Sequence, residues 1–84
     1  MITFQKVGPD GQAQIYFVTG CNTLFGGSYI VRGYSRKDQP PKMLPPITCT
    51  DEGEANKTIE QITAIRLKHG YTIIRIDPDE AMYN

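Results

Sequence analysis

The sequence predicts an α+β domain: a mostly antiparallel sheet of about four to five strands with one amphipathic helix packed on one face, in the order β-β-β-(β)-α-β. Three observations lead there. Short runs rich in β-branched and aromatic residues are separated by Gly, Pro and Asp clusters. One stretch, 51–69, repeats apolar residues at helical spacing. The chain has 84 residues, and a chain this size hides only about 60–65% of its unfolded surface, which is enough for one sheet face and one covering helix. A single domain over 1–84 is expected, ending in a short tail, 77–84.

Ile2-Thr3-Phe4-Gln5-Lys6-Val7 alternates with period two, and Gly8-Pro9-Asp10-Gly11 then supplies the fixed-φ and positive-φ residues of a tight reversal. Ala13-Gln14-Ile15-Tyr16-Phe17-Val18 completes a β-hairpin, with Gly20-Cys21-Asn22-Thr23 punctuating its end. Gly27 to Tyr34 reads as a third strand, in which Gly33 marks a bulge or a close backbone approach. After the polar connection 36–41, Lys42 to Cys49 is at best an edge strand, because Pro45-Pro46 cannot donate ladder hydrogen bonds. The prolines of 40–46 are never three apart, so the P-x-x-P ligand spacing is absent.

Asp51 with Glu54 forms a capping-box pattern, and Ala55, Ile59, Ile62 and Ile65 recur at spacings of four, three and three. Gly70 stops this helix in the left-handed conformation. Its acids cluster at the start, and Arg66, Lys68 and His69 lie in the last turns, each where the macrodipole favours it. Tyr71 to Ile76 is the final strand, closed by Asp77-Pro78-Asp79.

Nine basic residues balance nine acidic ones, which excludes a globally basic nucleic-acid binder and an acidic mimic. The distribution is uneven. Residues 32–42 hold Arg32, Arg36, Lys37 and Lys42 against Asp38, and residues 66–75 hold Arg66, Lys68 and Arg75 with no acid. The acids concentrate at Asp51, Glu52, Glu54 and Glu60 and again at Asp77, Asp79 and Glu80, so a molecule of two charge faces is expected.

No apolar run approaches the roughly 20 residues of a membrane span, and the N-terminus lacks a signal layout, so a cytoplasmic chain without membrane contact is expected. Cys21 and Cys49, 28 residues apart, lack metal-ligand spacing and read as thiols; no metal or cofactor is expected. His69 is the sole side chain with an ordinary pKa near neutrality and sits beside a helix-stop glycine. Acid pairs such as Asp77/Asp79 lie at element ends, and no phosphate-cradling glycine motif is present. No enzyme is expected.

The stretch from Leu24 to Lys42 interleaves Phe25, Tyr29 and Tyr34 with basic side chains, a pattern that suits nucleic acid, since cations neutralise phosphates and an exposed ring stacks on a base or sugar. Within it, the run Thr23-Leu24-Phe25-Gly26-Gly27-Ser28-Tyr29-Ile30-Val31-Arg32-Gly33-Tyr34-Ser35-Arg36 resembles the core of a WGR domain, whose name-giving tripeptide would be Tyr34-Ser35-Arg36. Ala55, Ile59, Arg66 and Gly70-Tyr71 fall on the family's helix pattern, and the match covers about residues 13–76.

WGR domains occur in poly(ADP-ribose) polymerases, where they bind DNA near a strand break, and as short bacterial proteins. The resemblance implies an antiparallel sheet with one helix and a DNA-binding role. Tyr34 would stand for the tryptophan that packs on a sugar at a DNA end, Arg36 for the arginine after it, and Arg32 for the basic residue two before it. Tyr for Trp keeps a smaller stacking surface, and Ser35 adds a side chain where the family has glycine. The nucleic-acid contacts expected are Arg32, Tyr34, Arg36, Lys37 and Lys42, extended by Arg66 and Lys68. The alternative is a protein-interaction or regulatory module on a WGR-like scaffold, pairing through a sheet edge or the Pro-rich segment 40–46.

Overall fold

A computed structural model describes residues 1–24, 26–36 and 39–77. The elements are β1 (Ile2–Val7), β2 (Ala13–Asn22), β3 (Ser28–Arg36), β4 (Lys42–Met43), β5 (Ile47–Cys49), α1 (Glu52–Lys68) and β6 (Thr72–Ile76). All strands belong to one antiparallel sheet in the order β4-β3-β2-β1-β6, with β5 also pairing β3. The α+β class is as the sequence predicts.

The first reversal forms as its residue types require. Gly11 N–H donates to the Gly8 carbonyl (2.9 Å), Gly11 takes φ 79°, and Asp10 Oδ1 accepts from the Gln12 amide (3.1 Å). The hairpin closes with Val7 opposite Ala13. β2 is longer than predicted: Gly20, Cys21 and Asn22 continue the ladder opposite Ile30, Tyr29 and Ser28. The second reversal falls instead at 23–27, where Thr23 N–H donates to the Gly27 carbonyl (2.8 Å) and Gly26 takes φ 87°. Phe25 at this tip lies outside the described residues.

The Pro-rich segment forms two short strands on the outer edge of β3. Lys42 and Met43 pair with Tyr34 and Gly33, Leu44 N–H donates to the Arg32 carbonyl (3.0 Å), and Ile47 resumes pairing at Ile30. The break between them is Pro45-Pro46, which has no amide hydrogens to offer.

In α1, the Glu54 amide donates to Asp51 Oδ1 (2.8 Å), satisfying one free donor of the first turn. The Glu54 carboxylate accepts from the Thr50 hydroxyl (2.8 Å), so the reciprocal half of the capping box is replaced by a contact one residue earlier. At the other end Tyr71 N–H donates to the Arg66 carbonyl and Gly70 N–H to that of Leu67, both at 3.1 Å, with Gly70 at φ 90°: a Schellman motif.

Strand alternation puts Ile2, Phe4, Tyr16, Val18, Gly20, Ile30, Arg32, Tyr34 and Arg36 on the face that carries the helix. Phe4, Tyr16, Val18, Ile30, Cys49 and Ala55 are buried there, with Ile2, Tyr34, Leu44, Ile47, Ile59, Ile62 and Tyr71 packed against them. Full burial of Phe4, Val18 or Ile30 stabilises by about 1.5–3 kcal/mol each. A side chain at Gly20 would meet Ile59 Cδ1 at 3.3 Å, which shows how closely the helix lies on β2. Ile65 departs from its predicted place on this face: it is 48% exposed, and Arg66 occupies the sheet-facing position in the last turns.

Cys49, opposite Ser28, is on the helix side, whereas Cys21, opposite Tyr29, is on the other; neither forms a disulfide. Among the described residues no helix is long and apolar enough to cross a membrane. On the face without a helix, Phe17 lies across Gly33. A Cβ there would come within 2.5 Å of Phe17 Cζ and 2.7 Å of the Lys42 carbonyl oxygen, so Gly33 is the close approach its sequence context suggests. Gly33→Ala is therefore expected to lower unfolding stability by about 1–3 kcal/mol through overpacking, read as a lower urea midpoint at unchanged slope.

Candidate nucleic-acid interface

The helix runs opposite to β2, with Ile59 against Gly20 and the Arg66 guanidinium over the Tyr16 ring (4.8 Å). Its C-terminal end therefore lies over the end of the sheet where β1 finishes, β2 begins and β3 finishes. Lys6 is opposite Gln14, Gln14 opposite Arg36, Tyr16 opposite Tyr34, and Tyr34 opposite Lys42. One end thus gathers Lys6, Arg36, Lys42, Arg66 and Lys68 around Tyr16, Tyr34 and Tyr71. The helix start at the opposite end holds Asp51, Glu52 and Glu54. Arg75, expected among the basic residues, lies instead opposite Thr3 near the start of β1, and Asp79 and Glu80 lie outside the described residues.

The aromatic and cationic groups interlock. Tyr16 and Tyr71 meet edge to face at 6.3 Å, Arg66 also lies 5.5 Å from the Tyr71 ring, and Lys6 Nζ approaches that ring from 5.8 Å. The Tyr71 hydroxyl donates to Gln14 Oε1 (3.4 Å), tying the start of β6 to β2. A ring carries no net charge, so these contacts hold the cations in place without neutralising them. Asp10 in the first turn accepts the Gln12 amide through its Oδ1, and Asp38 lies outside the described residues.

Of the predicted contact residues, Arg36 and Lys42 are exposed at this end, and Lys68 is exposed in the last helical turn. Tyr34 is half-buried, with part of its ring against the core. Arg32 is half-buried two residues further into the sheet, opposite Val18, and its Nε is buried without a partner. Arg66 is half-buried and engaged by the two tyrosines. Lys37 lies outside the described residues. Tyr34, Ser35, Arg36, Gln39, Pro40 and Lys42 line a cavity of about 160 Å³. That is below the roughly 300 Å³ at which small-molecule pockets begin.

Sequence reading missed Lys6 and Tyr71. The signal for Lys6 was within the hairpin itself: a two-stranded register from Gly8–Gly11 sets Lys6 opposite Gln14, and the next strand brings Arg36 alongside.

Among the described residues no group of three or more His, Cys, Asp or Glu is placed to hold a metal ion. His69 is the exposed C-cap residue of α1. Comparison with family models, with curated proteins and with solved structures finds no match.

On the helix-free face, the Tyr29 phenol is raised from its ordinary 10.0, first by its hydrogen bond to Cys21, then by the charge of the Cys21 thiolate, and least by burial. A hydrogen bond that raises a phenol's pKa is one the phenol donates. Because the folded value is raised, this stabilisation is present below the ordinary value and is lost as pH climbs through the raised one.

Two outcomes follow for this region. Arg66→Ala is expected to cost about 0.5–2 kcal/mol in urea unfolding, with Arg66→Lys recovering part of it, since an ammonium keeps the charge but not the planar stack. In Cys21→Ala, ultraviolet titration should show one of the five tyrosines ionising at lower pH than in the wild type.

Proposed function

We propose that this chain is a nucleic-acid-binding module of WGR type that takes DNA, at or near a strand end, on its basic end, and acts by binding and not by catalysis. The observation that carries this reading is the convergence of Lys6, Arg36, Lys42, Arg66 and Lys68 around Tyr34 and Tyr71 at one end of a chain with no net charge. A net-neutral protein gains no long-range pull toward DNA, so binding must come from local phosphate neutralisation.

In this reading Arg36, Lys42 and Lys68 contact phosphates directly, because they are exposed. Arg66 and Lys6 supply charge from behind, held by the tyrosine rings. Tyr34 offers only its outer edge, at the rim of the small cavity, so it packs against a sugar and does not intercalate. Arg32 serves the sheet interior more than the ligand.

The test is fluorescence anisotropy with labelled duplex, nicked duplex and single strand at about 50 and 200 mM salt. With about three phosphates neutralised, log affinity should fall with log salt at a slope of roughly −3, and Arg36→Ala or Lys42→Ala should reduce that slope by about one. Both residues are exposed, so these variants keep the fold. Tyr34→Ala is interpreted only after circular dichroism shows native structure. No binding to any of the three at the lower salt would overturn the reading and leave a WGR-like scaffold turned to protein contacts.

A further inference from the structure

β6 ends the sheet order, and among the described residues no strand pairs with its outer edge. All five of its residues are exposed, including Ile73 (39%), Ile74 (51%) and Ile76 (68%). Proteins blunt such edges with proline, lysine or unpaired charge. The opposite edge of this sheet has those devices: β4 and β5 are three residues or fewer, carry Lys42, and are flanked by Pro40, Pro41, Pro45 and Pro46. β6 has neither proline nor lysine. Its one cation, Arg75, is held by Asp77, with Nε 2.8 Å from Oδ1.

A register shift against β1 between Thr3 and Phe4 leaves Ile74 as the extra residue, with Ile73 opposite Phe4 and Ile76 opposite Ile2. Ile73 and Ile76 consequently share the helix side of the sheet. Beside Ile76 a groove of about 190 Å³, lined by Met1, Ile2, Val18 and Ile59, continues the apolar surface toward α1.

We propose that β6 is the contact strand of a two-fold homodimer, pairing antiparallel with β6 of a second copy. The occupant follows from the edges. Among the described residues β6 is the one sheet edge without proline or lysine, so a copy meeting a copy joins β6 to β6, and that junction consumes the open edge of both. Growth beyond two would need the proline-flanked edge. The chain's zero net charge and the internal Arg75–Asp77 pair remove the electrostatic objection to self-association. The isoleucines then meet isoleucines across the axis, and the apolar groove beside Ile76 receives a side chain from the other copy. Only five residues pair and the strand is bulged, so the contact is small and the dissociation constant is expected in the micromolar range. This inference is independent of the nucleic-acid reading, since the basic end takes no part in it.

Sedimentation velocity of the full chain from about 1 to 500 µM brackets that range. The expected result is a mass rising with concentration from 9.4 kDa to twice that value and no further. Ile74→Lys and Ile76→Lys should each stay monomeric, while Met43→Lys, on the other edge, should dimerise like the wild type. Alongside, hydrogen exchange on the wild type should show amides within Thr72–Ile76 slowing as concentration rises, a readout that survives if a lysine variant fails to fold. A wild type monomeric throughout, growth past two copies, dimerisation lost in Met43→Lys but kept in both isoleucine variants, or no concentration-dependent protection in β6 would each overturn the proposal.

Discussion

One helix on a broad sheet is the constraint from which most of the structure follows. An α-helix is about 10 Å across and strands are spaced about 4.8 Å apart, so a single helix covers the width of two strands. α1 packs over β2, β3 and β5. The buried residues Phe4, Tyr16, Val18 and Ile30 cluster beneath it, and burial falls away from that line. β6, furthest from the helix in the sheet order on that side, is exposed along its whole length. The face without a helix is closed only by its own side chains, chiefly Phe17 folded over Gly33. Apolar surface at Ile73, Ile74 and Ile76 is what remains once one helix has done all it can.

The same helix organises the charge. Its direction is fixed by the β5–α1 turn and by Ile59 against Gly20, and its macrodipole favours acids at the start and bases at the end. Arg66 and Lys68 therefore have a structural cause before any functional one, and Arg66 has a second in the Tyr16 and Tyr71 rings. Helix electrostatics makes no demand on Lys6, Arg36 or Lys42, which lie at strand positions, although Lys6 also meets the Tyr71 ring and Lys42 also blunts the β4 edge. The weight of the nucleic-acid reading rests on these three, which antiparallel pairing delivers to the end already made positive by the helix.

What the sequence disclosed was local chemistry. The Gly8–Gly11 reversal, the Asp51 cap, the Gly70 stop and the interruption at Pro45-Pro46 each act within a few residues, and each is where its residue types put it. What it concealed was non-local. Gly20 looks like a strand terminator, yet β2 runs on because β3 offers partners on one side and Ile59 fills the space over the glycine. Ile65 obeys the helical period but rolls away from the sheet, while Arg66 turns in because aromatic rings are there to receive it. The place of Tyr71 beside Lys6 depends on β6 returning beside β1, a pairing that joins opposite ends of the chain and leaves no short-range trace.

The segment Gly33-Tyr34-Ser35-Arg36 shows how register decides what a tripeptide can do. Successive residues of β3 face opposite sides, so Tyr34 and Arg36 share the helix side with Arg32, while Gly33 and Ser35 face the other. Gly33 is held to glycine by Phe17 and the Lys42 carbonyl, which fixes how closely β4 approaches and so where Lys42 stands relative to Tyr34. Ser35 sits opposite Ile15 on the other side of the strand, yet it lines the small cavity together with Tyr34 and Arg36. Tyr34 is the side chain divided between the core and the rim of that cavity, so one ring serves both packing and outer surface.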